Sequence, residues 1–384
     1  MAHRTRAGAR AAGLTAGGAA LLLAFATGCA LDLNTDAPDE GPATGVRAAP
    51  LARPGTVSVL FCQESESRGG PSRYRIVLRS YGSDDGTLVA ERRTALPREF
   101  EPTAGCGNGV ENQPVAHALS EDLALVAGRL KAPSRFLRAA AVDTATGQEA
   151  GPPHKGRVGR QAQPDRVVFH PETGELWYGG AGFVHHRDPG RGTDSEQQVP
   201  DPEIRRDLLQ DPATAATILR LTGSRTPLTP GGAVVATYNT AQGLGLARVT
   251  GAEGDGAGRY RESFETAGLG GMRDPFPCDP VVWRDDTRLL CSDFRQVTFS
   301  AAHDRVVKTE ELAGGGGNMP ANRNLVPSPD GTGFAFLSRG EDDGRWALYR
   351  ADFTPGGQPQ KITDIAPPDR GDDSAFVTSL VRWN

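Results

Sequence analysis

Lysine is scarce in this chain: only Lys131, Lys155, Lys308 and Lys361 occur among 384 residues, the other basic residues being arginine. With 42 basic and 47 acidic side chains the formal net charge is −5. A mildly acidic domain has no electrostatic footprint for nucleic acid or for an anionic lipid surface. Long apolar runs are missing as well. The stretch Ala19-Ala20-Leu21-Leu22-Leu23-Ala24-Phe25-Ala26 is too short to cross ~30 Å of hydrocarbon, which needs about twenty apolar residues. Nucleotide motifs are incomplete. Gly314-Gly315-Gly316-Gly317 is not followed by the Lys-Ser/Thr of a phosphate loop, and Gly243-Leu244-Gly245-Leu246-Ala247-Arg248 lacks the third glycine of a dinucleotide fingerprint. No Gly-x-Ser-x-Gly elbow occurs, which excludes a serine-hydrolase nucleophile domain.

The N-terminus has the pattern of an export signal. Arg4, Arg6 and Arg10 form a positive segment without an acidic residue, and the short apolar stretch follows. It ends on Ala26-Thr27-Gly28-Cys29, which resembles the lipobox of bacterial lipoproteins. That resemblance implies diacylglycerol on the Cys29 thiol and cleavage ahead of it. Ala26 stands where leucine is usual, and an ordinary secretory signal with an incidental cysteine is the alternative. Residues 1–28 are expected to be the signal peptide. Their removal takes away three arginines, so 39 − 47 gives −8.

From Cys29 to about Pro54 the chain is rich in Ala, Pro, Gly and Asp, as in Asp36-Ala37-Pro38-Asp39-Glu40-Gly41-Pro42. It cannot bury enough apolar surface to fold and is expected to be a disordered tether. With Cys29 given to lipid, Cys62, Cys106, Cys278 and Cys291 remain. An even number in an exported chain points to two disulfides, with buried free thiols as the alternative.

A repeat dominates residues 55–384. Turn anchors fall at Ser120, His170, Thr229, Arg284, Ser328 and Asn384, with separations of 50, 59, 55, 44 and 56 residues. Short apolar strands are predicted before most anchors, at Pro114–Ala118, Arg166–Phe169, Pro280–Trp283 and Asn324–Val326. Second strands follow, such as Leu123–Ala127, Ala233–Tyr238 and Leu289–Cys291. Further hairpins are predicted across Ser83-Asp84-Asp85-Gly86 and Pro355-Gly356-Gly357. Such periodicity indicates blades in a ring. Ser379-Leu380-Val381-Arg382-Trp383-Asn384 reads as a first strand with no second, and Thr56-Val57-Ser58-Val59-Leu60-Phe61 as a second with no first. Joining them closes a shared blade and removes two open edges. The expectation is an all-β, six-bladed propeller, or a seven-bladed one if the segment before Thr229 hides another blade. A helix is expected over Pro202 to Leu209, after the N-cap Asp201.

Blade geometry also pairs the cysteines. A residue before a first strand and one late in the returning strand share a face, which pairs Cys278 with Cys291 and Cys62 with Cys106. Other pairings would cross non-adjacent blades, beyond the 4.4–6.8 Å Cα separation a disulfide allows.

The unit Ser328-Pro329-Asp330-Gly331-Thr332, with Phe334-Ala335-Phe336, Trp346-Ala347-Leu348-Tyr349 and Lys361-Ile362-Thr363, resembles the repeat of TolB-like, or WD40-like, β-propellers. The motif covers about forty residues; the units around Ser120, Thr229 and Arg284 are degenerate. The resemblance implies a fold and a binding platform, not a reaction. Candidate chemistry is sparse. Adjacent His185 and His186 point to opposite faces of a strand and do not grip one ion, and Asp84-Asp85, Asp285-Asp286, Asp342-Asp343 and Asp372-Asp373 read as turn residues. Trp177, Trp283, Trp346 and Trp383 recur at similar repeat positions and read as inter-blade core. No catalytic residue, metal or cofactor is assigned. The chain is expected to be an extracytoplasmic, membrane-anchored module binding a protein, peptide or glycan, and not nucleic acid. The alternative is an extracytoplasmic enzyme with a loop-built site at the channel. Carboxylates or histidines converging on the channel would favour the enzyme; apolar and backbone walls would favour the binding module.

Overall fold

The computed structural model describes residues 49–65, 73–104, 106, 115–131, 137–151, 166–180, 183–191, 193–198, 216–217, 220–221, 226–239, 243–248, 260–261, 278–312, 323–339, 345–368 and 377–384. They form antiparallel meanders. The first holds β1 (Thr56–Ser65), β2 (Arg73–Gly82) and β3 (Leu88–Ala95); the second holds β4 (Phe100–Pro102), β5 (Leu125–Lys131) and β6 (Leu137–Asp143). A third has β7 (Val167–Phe169), β8 (Leu176–Gly180), β9 (Phe183–Asp188) and β10 (Thr193–Gln198). A fourth has β11 (Val234–Asn239), β12 (Gly243–Arg248) and β13 (Tyr260–Arg261). The fifth comprises β14 (Pro280–Trp283), β15 (Arg288–Cys291), β16 (Arg295–Phe299) and β17 (Val306–Glu311). The sixth comprises β18 (Arg323–Pro327), β19 (Gly333–Arg339), β20 (Trp346–Asp352) and β21 (Gln360–Ile365). The last strand, β22 (Val377–Trp383), joins the first sheet by pairing antiparallel with β1. The fold is an all-β propeller, and no further sheet occurs among the described residues.

One local interaction recurs at every anchor. The backbone N–H of Ser120 donates to Leu125 O, His170 to Glu175 O, Thr229 to Val234 O, Arg284 to Arg288 O and Ser328 to Gly333 O, at 2.7–3.0 Å. Side chains add to it where they can. The Ser120, Thr229 and Ser328 hydroxyls accept from Leu125, Val234 and Gly333 N–H. Asp122 and Asp330 accept in turn from the Ser120 and Ser328 hydroxyls. Gly331 takes φ 67°, a conformation glycine adopts without steric cost. Short polar side chains that bond their own turn therefore explain the Ser-Pro-Asp-Gly chemistry.

Alternation along the strands places apolar residues on both faces of each sheet. Val57, Val59 and Phe61 of β1 pack with Ala335, Leu337 and Leu348 of the sixth sheet. From the opposite face, Leu60 and Cys62 pack with Phe100, Val126 and Val142 of the second. Equivalent clusters join the second sheet to the third, the fourth to the fifth and the fifth to the sixth. Phe336 and Leu337, on opposite faces of β19 and both at 0% exposure, each contribute about 1.5–3 kcal/mol through burial.

The disulfides join Cys62 to Cys106 and Cys278 to Cys291, with Cα separations of 4.9 and 5.2 Å. The second bond braces one hairpin, where Pro280 opposes Cys291. The first links β1 to the segment following β4.

Several expectations are corrected or fall outside the described residues. Val115–Ala118 is a 3-10 turn, not a strand; only Leu119 bridges to Val126, and β4 occupies the remaining edge of β5. The last tether residues are packed: Leu51 is 2% exposed, and its carbonyl accepts from the Ser80 hydroxyl at 2.6 Å. A leucine with an apolar groove available folds onto it. Cys29, the signal segment, the helix over residues 202–209, Gly314–Gly317, Asp342-Asp343 and Asp372-Asp373 lie outside the described residues.

Candidate functional site

The strands or turns preceding the anchors converge, and a cavity of about 360 Å³ lies among them. Its walls come from Val115 to His117, from Thr226 to Leu228, and from β14, β18 and β22. Most wall surface is apolar, from Val281, Val282, Leu325, Leu380 and Val381. The polar exceptions are His117, Arg220, Asn324 and Arg382, with Thr226 at the edge. Among the described residues no carboxylate lines it; Glu121, Asp122 and Glu172 sit around neighbouring depressions that share Arg382 or His117 with it.

Arg220 is a helical residue and is buried, at 8% exposure. Its Nη2 donates to Thr226 O at 3.4 Å, while Nε and Nη1 have no hydrogen-bond partner. Burial lowers its pKa to about 10, so it stays charged at neutral pH. Asn324 sits in the irregular register between Arg323 and Val326 on β18, at φ 55°, and its buried Nδ2 is likewise unpartnered. Asparagine tolerates this left-handed conformation better than most residues. His117 has its pKa pushed well below the ordinary value by burial, reinforced by the positive charges of Arg220 and Arg382. The Arg382 guanidinium bonds to the Glu121 carbonyl, with Glu121 and Asp122 close by. Arg166 donates to the Arg220 carbonyl at 3.5 Å.

The acceptors at Thr226 and Pro227 are already engaged. Pro227 O accepts from both Ala236 N–H and Trp283 Nε1, and Thr226 O accepts from Arg220. The Thr226 hydroxyl donates to Ala216 O at 3.1 Å. The cavity therefore offers donors and positive charge against apolar walls.

The residues weighed from sequence sit elsewhere. His185 stacks on Tyr178 and His186 on Trp177, with centroids at 5.0 and 5.1 Å, on opposite faces of β9. Asp85 and Asp285 accept from backbone N–H groups of their own turns. Asp84 pairs with Arg350, and Asp286 accepts from Gly231 N–H at 2.8 Å. Trp177 and Trp283 are buried, while Trp346 and Trp383 pack against the first and sixth sheets. Among the described residues no group of three or more His, Cys, Asp or Glu is placed to hold a metal ion. Arg220 and Asn324 carry no motif, and no pattern in the sequence marks them.

No family model matches the sequence, and no curated protein matches it. Solved structures align at low similarity. A putative 6-phosphogluconolactonase from Bacteroides uniformis shares 14% identity over 82% of this chain and 85% of its own, with a TM-score of 0.35. The periplasmic gluconolactonase of Pseudomonas aeruginosa shares 14% over 81% and 86%, TM-score 0.34. BamB of Moraxella catarrhalis shares 12% over 78% and 69%, TM-score 0.30. Scores in this range transfer neither activity nor ligand, so the propeller assignment rests on the sheets themselves.

Proposed function

We propose that this chain is an exported, membrane-anchored β-propeller lipoprotein that binds a protein, peptide or glycan ligand at its central channel without transforming it. The lining of the channel cavity carries the reading: apolar walls, unpartnered donors and, among the described residues, no carboxylate. General acid–base chemistry needs a titratable group within hydrogen-bond reach of the transferred proton. His117 is the one imidazole among the described lining residues, and burial with the charges of Arg220 and Arg382 holds its pKa well below the usual histidine range.

Export is supported by the basic and apolar N-terminal pattern and by two disulfides, which persist in oxidising compartments. Residues 1–28 would be the signal and Cys29 the lipid-bearing residue. Two acyl chains suffice for stable anchoring at ~0.8 kcal/mol per buried CH₂. We close the ring between β1 and β22, a TolB-like arrangement supported by the motif from Ser328 to Thr363.

Two experiments test this reading. Cys29→Ser should abolish incorporation of labelled fatty acid and leave the precursor unprocessed; unchanged processing and membrane retention would contradict lipidation. A photoreactive residue replacing Val282, in the channel, should form a defined adduct in intact cells. The same residue replacing Val307, 61% exposed on β17, should not. Equal labelling at both sites, or none at Val282, would contradict channel binding.

A further inference from the structure

Arg220 presents an unusual balance. A guanidinium at 8% exposure normally faces a carboxylate or has all its N–H groups engaged, because an unpaired buried charge is costly. Among the described residues its guanidinium makes one long contact, to Thr226 O at 3.4 Å, and Nε and Nη1 have no partner. Among the described residues that line its cavity there is no carboxylate. A second donor, Asn324 Nδ2, is buried and unpartnered in the same lining, contributed by a different part of the chain. The two residues are 104 positions apart in sequence, so one cavity gathers both orphaned donors only through the tertiary fold.

Cavities that collect water usually offer it acceptors as well as donors. This one has donors, added positive charge from Arg382, and acceptors at Thr226 and Pro227 that are already engaged. We propose that the channel is an oxyanion site: it takes a ligand, or the end of a ligand, carrying a carboxylate or a phosphate. Arg220 supplies the charge, Asn324 a second donor, and Val281, Val282, Leu325 and Leu380 pack the adjoining apolar part. A cavity of about 360 Å³ is at the small end of ligand pockets and fits a group of metabolite size. Hydrogen bonds from an ionised donor to an ionised acceptor are the strong ones, and a guanidinium suits both oxyanions. The depressed basicity of Arg220 and His117 agrees with a site whose counter-charge arrives with the ligand. This inference rests on the channel-binding reading and adds the chemical class.

The test uses the full chain in detergent, with acetate, D-gluconate and inorganic phosphate titrated against chloride at matched ionic strength. Thermal melting and calorimetry are the readouts. At least one oxyanion should raise Tm saturably beyond chloride; acetate or gluconate would assign a carboxylate, and phosphate a phosphate ester. Arg220→Met should weaken that binding about tenfold or more, with Arg220→Lys retaining part of it. Asn324→Gly, which accepts the positive φ while deleting the amide, should weaken it less. Ligand-free Arg220→Met should melt no lower than wild type, because the substitution removes a buried charge that has no counter-ion among the described residues.

An equal response to chloride would overturn the proposal, as would unchanged oxyanion affinity in Arg220→Met. So would a ligand-free Arg220→Met protein that melts below wild type, since Arg220 would then serve the fold itself. A specific adduct at Val282 with no oxyanion response would leave channel binding standing and remove only the anion. Absence of both would remove both.

Discussion

The backbone N–H of Asn384 donates to Thr56 O at 2.8 Å, the bond that Ser328 makes to Gly333 within one hairpin. The partners here are 328 residues apart. The C-terminal residue thus acts as an anchor whose second strand is supplied by the N-terminus. Gly55 N–H returns the contact to Asn384 O at 2.9 Å.

Deleting Ser379–Asn384 should therefore cost far more than an ordinary terminal trim. It removes most of the β22 ladder from β1 and with it the buried Leu380 and Val381, whose burial is worth roughly 3–6 kcal/mol together. A clear drop in Tm is expected. A truncated protein with an unchanged melting curve would show that the β1–β22 pairing adds nothing to stability.

The two disulfides should differ in value. Cys62–Cys106 spans 44 residues and Cys278–Cys291 spans 13. On the chain-entropy relation these loops are worth about 4 and about 3 kcal/mol respectively. The Cys62→Ala/Cys106→Ala double variant should thus melt below the Cys278→Ala/Cys291→Ala variant under non-reducing conditions. The reverse order would place the difference in packing, since all four cysteines are buried.

Glu91 is 4% exposed and accepts from Arg79 Nε at 2.6 Å and Arg93 Nε at 2.7 Å, while Arg79 Nη1 reaches Ala366 O at 2.5 Å. Burial pushes the carboxyl pKa up, but the Arg93 and Arg79 hydrogen bonds and charges outweigh it and hold the value below normal. Glu91→Gln leaves Arg79 buried without its counter-charge and should cost about 3–5 kcal/mol. For a carboxylate with a depressed folded pKa, the contribution is present above the unfolded value of about 4.3 and is lost as pH falls through the folded one. Denaturant midpoints at pH 7 and pH 3.5 should show a larger acid loss in wild type than in Glu91→Gln.

His117 should govern a separate window. Burial, then Arg220 and Arg382, lower its folded pKa, so it is neutral in both states above about pH 6.5. Below that value the unfolded chain takes the proton more readily, and stability falls as pH falls. Tm should decline from pH 7 to pH 5 more steeply in wild type than in His117→Gln. Parallel profiles would exclude His117 as the source.

The sequence by itself determined whatever depends on local chemistry. Ser, Thr and His anchors declare their turns because their side chains bond backbone groups a few residues away. Alternating apolar residues in Val57–Phe61 declare a strand with two buried faces, and the unpartnered strand at each end declares their pairing. Cysteine positions relative to those strands were enough to pair the sulfurs. The short segment before Ser120 misled, because an apolar run of four or five residues serves a strand or a 3-10 turn equally well, and here β4 occupies much of the β5 edge. Only the tertiary structure decided the site. Arg220 lies in the stretch joining two sheets and Asn324 in an irregular strand; neither has a local signature. Their meaning comes from what surrounds them: buried nitrogens without partners, apolar neighbours and, among the described lining residues, no carboxylate. Those properties arise only when distant segments converge on one cavity.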